Sequence, residues 1–166
     1  MNIILHEPEI PQNTGNIGRT CFATGTSLHL IEPLGFKIDD KSLKRAGMDY
    51  WKDLDVHYYT NFQDFLNKNP NANIYMATTK ALNTYSDVKF KDDDFIMFGS
   101  EGSGIPEEIL LHYKDNSIRI PMLEQYRSLN LSNSVAIVLY EALRQNSFKG
   151  CQMEGHLHRH SWSEAE

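Results

Sequence analysis

Short apolar runs recur along the chain, spaced so that a helix fits between them. The runs at 3–5, 28–31, 56–59, 73–77, 95–98 and 117–120 are rich in β-branched and aromatic residues and predict six strands. The intervening segments predict helices over 16–24, 40–48, 61–67, 106–112 and 132–145. Asn13 or Thr14 is expected to cap the first and Asn61 the third. Pro106 suits a first helical turn, with Glu107 and Glu108 near the positive dipole end. Strand alternating with helix predicts an α/β domain with a mostly parallel, six-stranded sheet and flanking helices. Sheets of this kind take ligands beyond the carboxyl ends of their strands. The pattern stops near Phe148, so the reading is one domain over 1–148 followed by a disordered tail or appended remnant over 149–166.

Composition narrows the class. The 166 residues suit one core, and 40% apolar content supports a folded globule. No run approaches 18 apolar residues, so no membrane span is expected. The N-terminus, Met1 to His6, lacks a basic stretch followed by a long apolar one, so no secretory leader is read. Cys21 and Cys151 read as two free thiols in a reducing cytoplasm. The net charge of −6 argues against gripping nucleic acid by bulk charge. It leaves room for a local basic face. Lys37, Lys41, Lys44 and Arg45 fall within nine residues, diluted by Asp39 and Asp40. His156, His158 and His160 alternate in the tail without a Cys or carboxylate scaffold, so no metal site is expected there.

Three loops carry candidate chemistry. The first, Pro8-Glu-Ile-Pro-Gln-Asn-Thr-Gly-Asn-Ile-Gly-Arg19, joins the first strand to the first helix. Gly15 and Gly18 permit close backbone approach, and an arginine beside a helix start suits a phosphate clamp. A tight turn carrying a surface arginine explains the same residues. The second, Phe98-Gly-Ser-Glu-Gly-Ser-Gly-Ile-Pro106, has three glycines in six residues around Glu101. That carboxylate suits a ribose or a ligand amine and repels a phosphate, which disfavours an ATPase; a glycine turn with a capping Glu explains the same residues. The third runs from Ile120 through Ser128, Asn130, Ser132, Asn133 and Ser134 into an apolar helix. Five small polar residues in seven exceed what one helix cap needs, which points to a small polar ligand. The helix itself, apolar on several sides, reads as a core helix that also reaches a dimer interface, or simply as a buried helix. Neither a Walker lysine nor a dinucleotide fingerprint is present.

Taken together, the three blocks resemble the SPOUT-class RNA 2′-O-ribose methyltransferases, in the same order and over 1–148. Glu7-Pro-Glu-Ile-Pro11, Ile31-Glu-Pro-Leu-Gly-Phe36, Arg45-Ala-Gly-Met-Asp-Tyr50 and Arg127-Ser-Leu-Asn-Leu-Ser-Asn133 resemble the minimal tRNA (cytidine/uridine-34-2′-O)-methyltransferase subgroup. The resemblance implies a C-terminal deep trefoil knot, a cytoplasmic homodimer and S-adenosylmethionine as methyl donor, with no metal. It implies 2′-O-methylation of the wobble nucleotide in the tRNA anticodon loop, with leucine tRNAs as substrates, and neither membrane nor DNA as partner. Carried onto this sequence, the donor site would use Ala77, Thr78, Gly99, Glu101, Gly104, Ile120, Met122, Ser128 and Leu129. Arg19, Ser128 and Asn130 would serve catalysis. Asn13, Lys44, Arg45, Tyr126 and Arg127 would meet RNA, with Tyr50 and Trp51 as further stacking rings. The alternatives are another tRNA or rRNA position, or a non-catalytic RNA-binding protein on the same fold.

Overall fold

The structure, a computed structural model, describes residues 1–38 and 49–164. The helix expected over 40–48, with Lys41, Lys44 and Arg45, lies outside the described residues. Seven strands form one sheet: β1 (Asn2–His6), β2 (Ser27–Ile31), β3 (Val56–Tyr59), β4 (Ile74–Ala77), β5 (Asn83–Thr84), β6 (Phe95–Phe98) and β7 (Ser117–Arg119). Their order is β3-β2-β1-β6-β4-β7-β5, and every pairing is parallel. The seventh strand corrects the expected six. β5 is two polar residues long, and its pairing with Ile118 and Arg119 of β7 makes it a strand. Nothing in its own periodicity announces it.

Successive strand residues point to opposite faces, and each face has its own apolar layer. Ile3, Leu5, Leu28, Leu30, Ile96, Phe98 and Ile118 face one layer. It is covered by α1 (Pro11–Thr24) and by the C-terminal helix Leu131–Gln145, numbered α4 below. Ile4, Ile31, Ile74, Met76 and Met97 face the other. There the covering helices are α2 (Phe62–Lys68) and α3 (Glu107–His112), the latter contributing Ile109 and Leu110. The Asn61 side chain accepts from the Asp64 amide at 2.8 Å and caps α2, as its sequence indicates.

The start of α1 differs from expectation. The helix begins at Pro11 rather than near residue 16, and its N-cap, Ile10, has no side chain suited to the role. The missing acceptor comes from a distant loop, described below. In α4 (Leu131–Gln145), Val135, Val138, Leu139, Ala142 and Leu143 are buried, at helical spacing. Ile137 and Tyr140 remain exposed on the other side. Both cysteines are free, Cys21 buried and Cys151 half-buried. Residues 149–164 are mostly exposed and carry one short 3-10 turn, Trp162–Glu164. Among the described residues no helix is long and apolar enough to cross a membrane. Among the described residues, no group of three or more His, Cys, Asp or Glu side chains is placed to hold a metal.

Candidate functional site

The loops that follow β1, β4, β6 and β7 all leave the carboxyl edge of the sheet, and they enclose a pocket of about 500 Å³. That size suits a small-molecule ligand. Ala77 and Thr78 contribute from the end of β4, and Gly99, Glu101 and Gly104 from the loop after β6. Ile120, Met122, Ser128 and Leu129 contribute from the long link between β7 and α4. All nine residues expected around the methyl donor therefore line one cavity. Lys80 and Arg119 line it as well, and sequence reasoning named neither. Their one available signal is position, each standing at or just past a strand's carboxyl end. Lys80 also pairs with Glu107 at the start of α3, at 2.7 Å.

The loop after β6 closes on itself. Ser100 and Gly104 form an antiparallel bridge, with the Gly104 amide donating to the Ser100 carbonyl at 2.9 Å. A Cβ on Gly99 would lie 2.0 Å from the Gly104 carbonyl carbon, so no side chain fits there. Gly104 itself takes a left-handed φ of 72°.

Glu101 uses its carboxylate inside the protein. It accepts from the amides of Glu9 at 2.8 Å and Ile10 at 3.2 Å, and from the Asn13 side-chain amide at 3.0 Å. It thus supplies, from 91 residues away, the acceptor that the start of α1 lacks. The Glu9 carboxylate reciprocates by accepting from the Gly102 amide at 3.1 Å. Asn13, expected at the RNA, is 7% exposed and bridges two loops. It donates to Glu101, and its carbonyl oxygen accepts from Asn130 Nδ2 at 3.1 Å. Asn130 caps α4 through Oδ1, which accepts from the amides of Ser132 at 2.9 Å and Asn133 at 3.3 Å. The chain Glu101–Asn13–Asn130 ties all three sequence motifs together.

Ser128 lines the pocket with an exposed side chain. Arg127 is at the same rim. Tyr126 is 64% exposed, beside a shallower depression shared with Pro121, Met122 and Leu123. Arg19 does not line the pocket. It is exposed on α1, two turns beyond the pocket wall, with its guanidinium carbon 5.5 Å from the centre of the Tyr50 ring. Burial pushes the Tyr50 phenol pKa up, while a hydrogen bond to Arg19 and its charge oppose the rise. Trp51, expected as a stacking ring, is buried against Gly18. A Cβ on Gly18 would meet the indole at 2.8 Å, so the glycine makes room for it.

The family model described as SpoU rRNA Methylase family matches residues 1–140. A tRNA (cytidine(34)-2′-O)-methyltransferase of Saccharophagus degradans is 47% identical over 150 residues, covering 90% of this chain and 97% of that protein. A structure solved to explain the 2-OH methylation of C/U34 on tRNA is 39% identical, with a TM-score of 0.82 over 88% of this chain and 95% of that one. An AdoMet-bound rRNA methyltransferase from Sinorhizobium meliloti is 26% identical, with a TM-score of 0.72 over 86% of this chain and 55% of that one. With its parallel sheet, its three interlocked loops and a family match that spans most of its length, the chain belongs to the SpoU rRNA methylase family.

Proposed function

We propose that this chain transfers a methyl group from S-adenosylmethionine to the ribose 2′-hydroxyl of nucleotide 34 in tRNA. The observation that carries the reading is the Glu101–Asn13–Asn130 connection, which gathers three distant loops around one pocket of donor size. The activity of the Saccharophagus degradans relative and the AdoMet-bound state of the Sinorhizobium meliloti structure support the same reading.

A bound sulfonium supplies an electrophilic methyl. The chain's task is therefore alignment and release of the hydroxyl proton to water, and alignment contributes up to about 7–11 kcal/mol in favourable cases. Ile120, Met122 and Leu129 give apolar surface to an adenine, and backbone groups of the 99–105 loop other than the Gly102, Ser103 and Gly104 amides, which bond within the protein, give polar contacts. Ser128 offers an exposed hydroxyl beside the reacting groups. Asn130 is committed to its cap and to Asn13, so it holds the Ser128 loop in place. A guanidinium is a poor proton acceptor, so the role that suits Arg19 is to clamp an RNA phosphate and polarise the hydroxyl. Tyr126 and Arg127 receive RNA at the rim, and Lys44 and Arg45 hold its phosphates.

Arg19 acts at the pocket of a second copy in a homodimer. Phe22 of α1 and Ile137 and Tyr140 of α4 leave exposed apolar surface on two adjoining helices, which such a dimer would cover. The C-terminal part of the domain, 1–148, is knotted. β7 lies between β4 and β5, so the link over 78–82 spans it, an arrangement in keeping with such a knot. The protein works in the cytoplasm, where its tRNA substrate resides.

Unmodified tRNA incubated with methyl-labelled donor, followed by nucleoside mapping, tests the proposal. Label is expected on the 2′-oxygen of nucleotide 34. Arg19→Lys is expected to lose about a hundredfold in turnover with donor affinity unchanged. Label at another position, or none, would refute the substrate.

A further inference from the structure

α1 presents Gly15, Arg19 and Phe22 along one strip, because residues three and four apart share a helix face. Tyr50 lies on that strip. Its hydroxyl donates to the Gly15 carbonyl, its ring lies under the Arg19 guanidinium, and the Phe22 ring stacks on it at 5.8 Å with an interplanar angle of 28°. The next residue, Trp51, is only 6% exposed and is seated against Gly18. Two consecutive aromatic residues thus meet the two glycine positions of the first motif. Trp51 fixes the local backbone to the core, and Tyr50 brings its ring to the exposed side where Arg19 stands.

We propose that Tyr50 is the positioning residue for Arg19, fixing the plane and direction of its guanidinium for the ribose and its phosphate. The proposal rests on the clamp role given to Arg19 above. A long exposed side chain samples many rotamers, and a clamp that must meet a hydroxyl and a phosphate together works only in a narrow set of them. The ring removes most of that freedom through a cation–π contact, and the Gly15 bond keeps the ring itself from turning away. Gly15 has no side chain to displace the phenol. The ring therefore acts through Arg19 and touches neither donor nor RNA.

The test compares Tyr50→Phe and Tyr50→Leu in the full chain, with tRNA methylation kinetics, donor affinity by calorimetry and the Arg19 Nε–Hε signal by NMR. Tyr50→Phe loses the Gly15 bond but keeps the ring, which the Phe22 stack still holds, and is expected to retain turnover within about threefold. Tyr50→Leu is expected to lose at least about tenfold in kcat, with donor Kd within about twofold and KM for tRNA within about threefold. In an Arg19→Lys background, Tyr50→Leu is expected to cost little more, since both changes remove the same clamp. The Arg19 signal should carry a ring-current shift in the wild type and Tyr50→Phe and lose it in Tyr50→Leu. Equal turnover of the Leu and Phe variants, or losses that multiply with Arg19→Lys, would overturn the proposal. If Tyr50→Leu does not fold, an Arg19 signal without a ring-current shift in the wild type overturns it by itself. A wild type that methylates no tRNA refutes the parent reading instead, and the NMR comparison still decides the ring–guanidinium contact.

Discussion

Replacing Asn13 by Ala removes the bridge from the first motif to the second and third without changing the sequence of either of those two loops. Two hydrogen bonds disappear. The one to Glu101 at 3.0 Å is charge-assisted and contributes about 1.5–3 kcal/mol, and the one from Asn130 at 3.1 Å contributes about 0.5–1.5 kcal/mol. Glu101 keeps the amides of Glu9 and Ile10, so its carboxylate is not stranded. Asn130 keeps its cap to Ser132 and Asn133, and its freed amide sits at an exposed position that water can reach. The expected loss is therefore about 2–3 kcal/mol, short of the sum of the upper limits. Urea unfolding measures it as a lowered midpoint at constant slope. Donor affinity should fall as well, because the 99–105 and 120–130 loops no longer share a fixed partner. A double-mutant cycle with Asn130→Ala should return a coupling of about 1 kcal/mol. If Asn13→Ala unfolds within about 0.5 kcal/mol of the wild type, or if the cycle shows no coupling, the three loops are not held together by this bridge.

Gly99→Ala places a Cβ 2.0 Å from the Gly104 carbonyl carbon and 2.1 Å from the Ile105 nitrogen, and both are backbone atoms that cannot swing aside. The 99–105 turn must open, at a cost of about 2–4 kcal/mol and at least a tenfold loss of donor affinity by calorimetry; unchanged donor affinity would contradict the tight turn. Acid stability reports on His29, which is 4% exposed and bonded to the Tyr59 hydroxyl at 2.9 Å. Burial, followed by the neighbouring His57, takes its pKa from 6.5 down to about 4, with Asp55 opposing. The unfolded chain binds the proton first, so stability is intact above about pH 7 and falls as pH drops from about 6.5 to about 4, by about 3 kcal/mol at the limit. Unfolding midpoints between pH 7.5 and 4.5 measure this, and His29→Gln should flatten the acid limb; a wild-type midpoint that stays level over that range contradicts the assignment.

Glu101 and Ser128 were legible along the chain because each sits in a loop whose local chemistry is unusual, three glycines around a carboxylate or five small polar residues ahead of a helix; Ala77, Thr78, Ile120 and Met122 followed only from the family resemblance, and Lys80 and Arg119 were not named. Strand and helix content was legible for a similar reason, since alternation and capping act over a few residues, as at Asn61. Long-range partners were not. The α1 start was misplaced because its acceptor is Glu101, from the loop after β6, and no nearby residue signals that supply. β5 was missed because two polar residues become a strand only when β7 lies beside them. Asn13 and Trp51 looked available to RNA, and only tertiary packing turned one into an internal bridge and the other into the filling of the Gly18 notch. Sequence by itself determined which chemical groups are present and in what order they follow one another along the chain, because those are matters of local pattern. Which groups spend their hydrogen bonds on one another, and which stay open toward a ligand, was decided by the fold, because distance in space bears no fixed relation to distance along the chain.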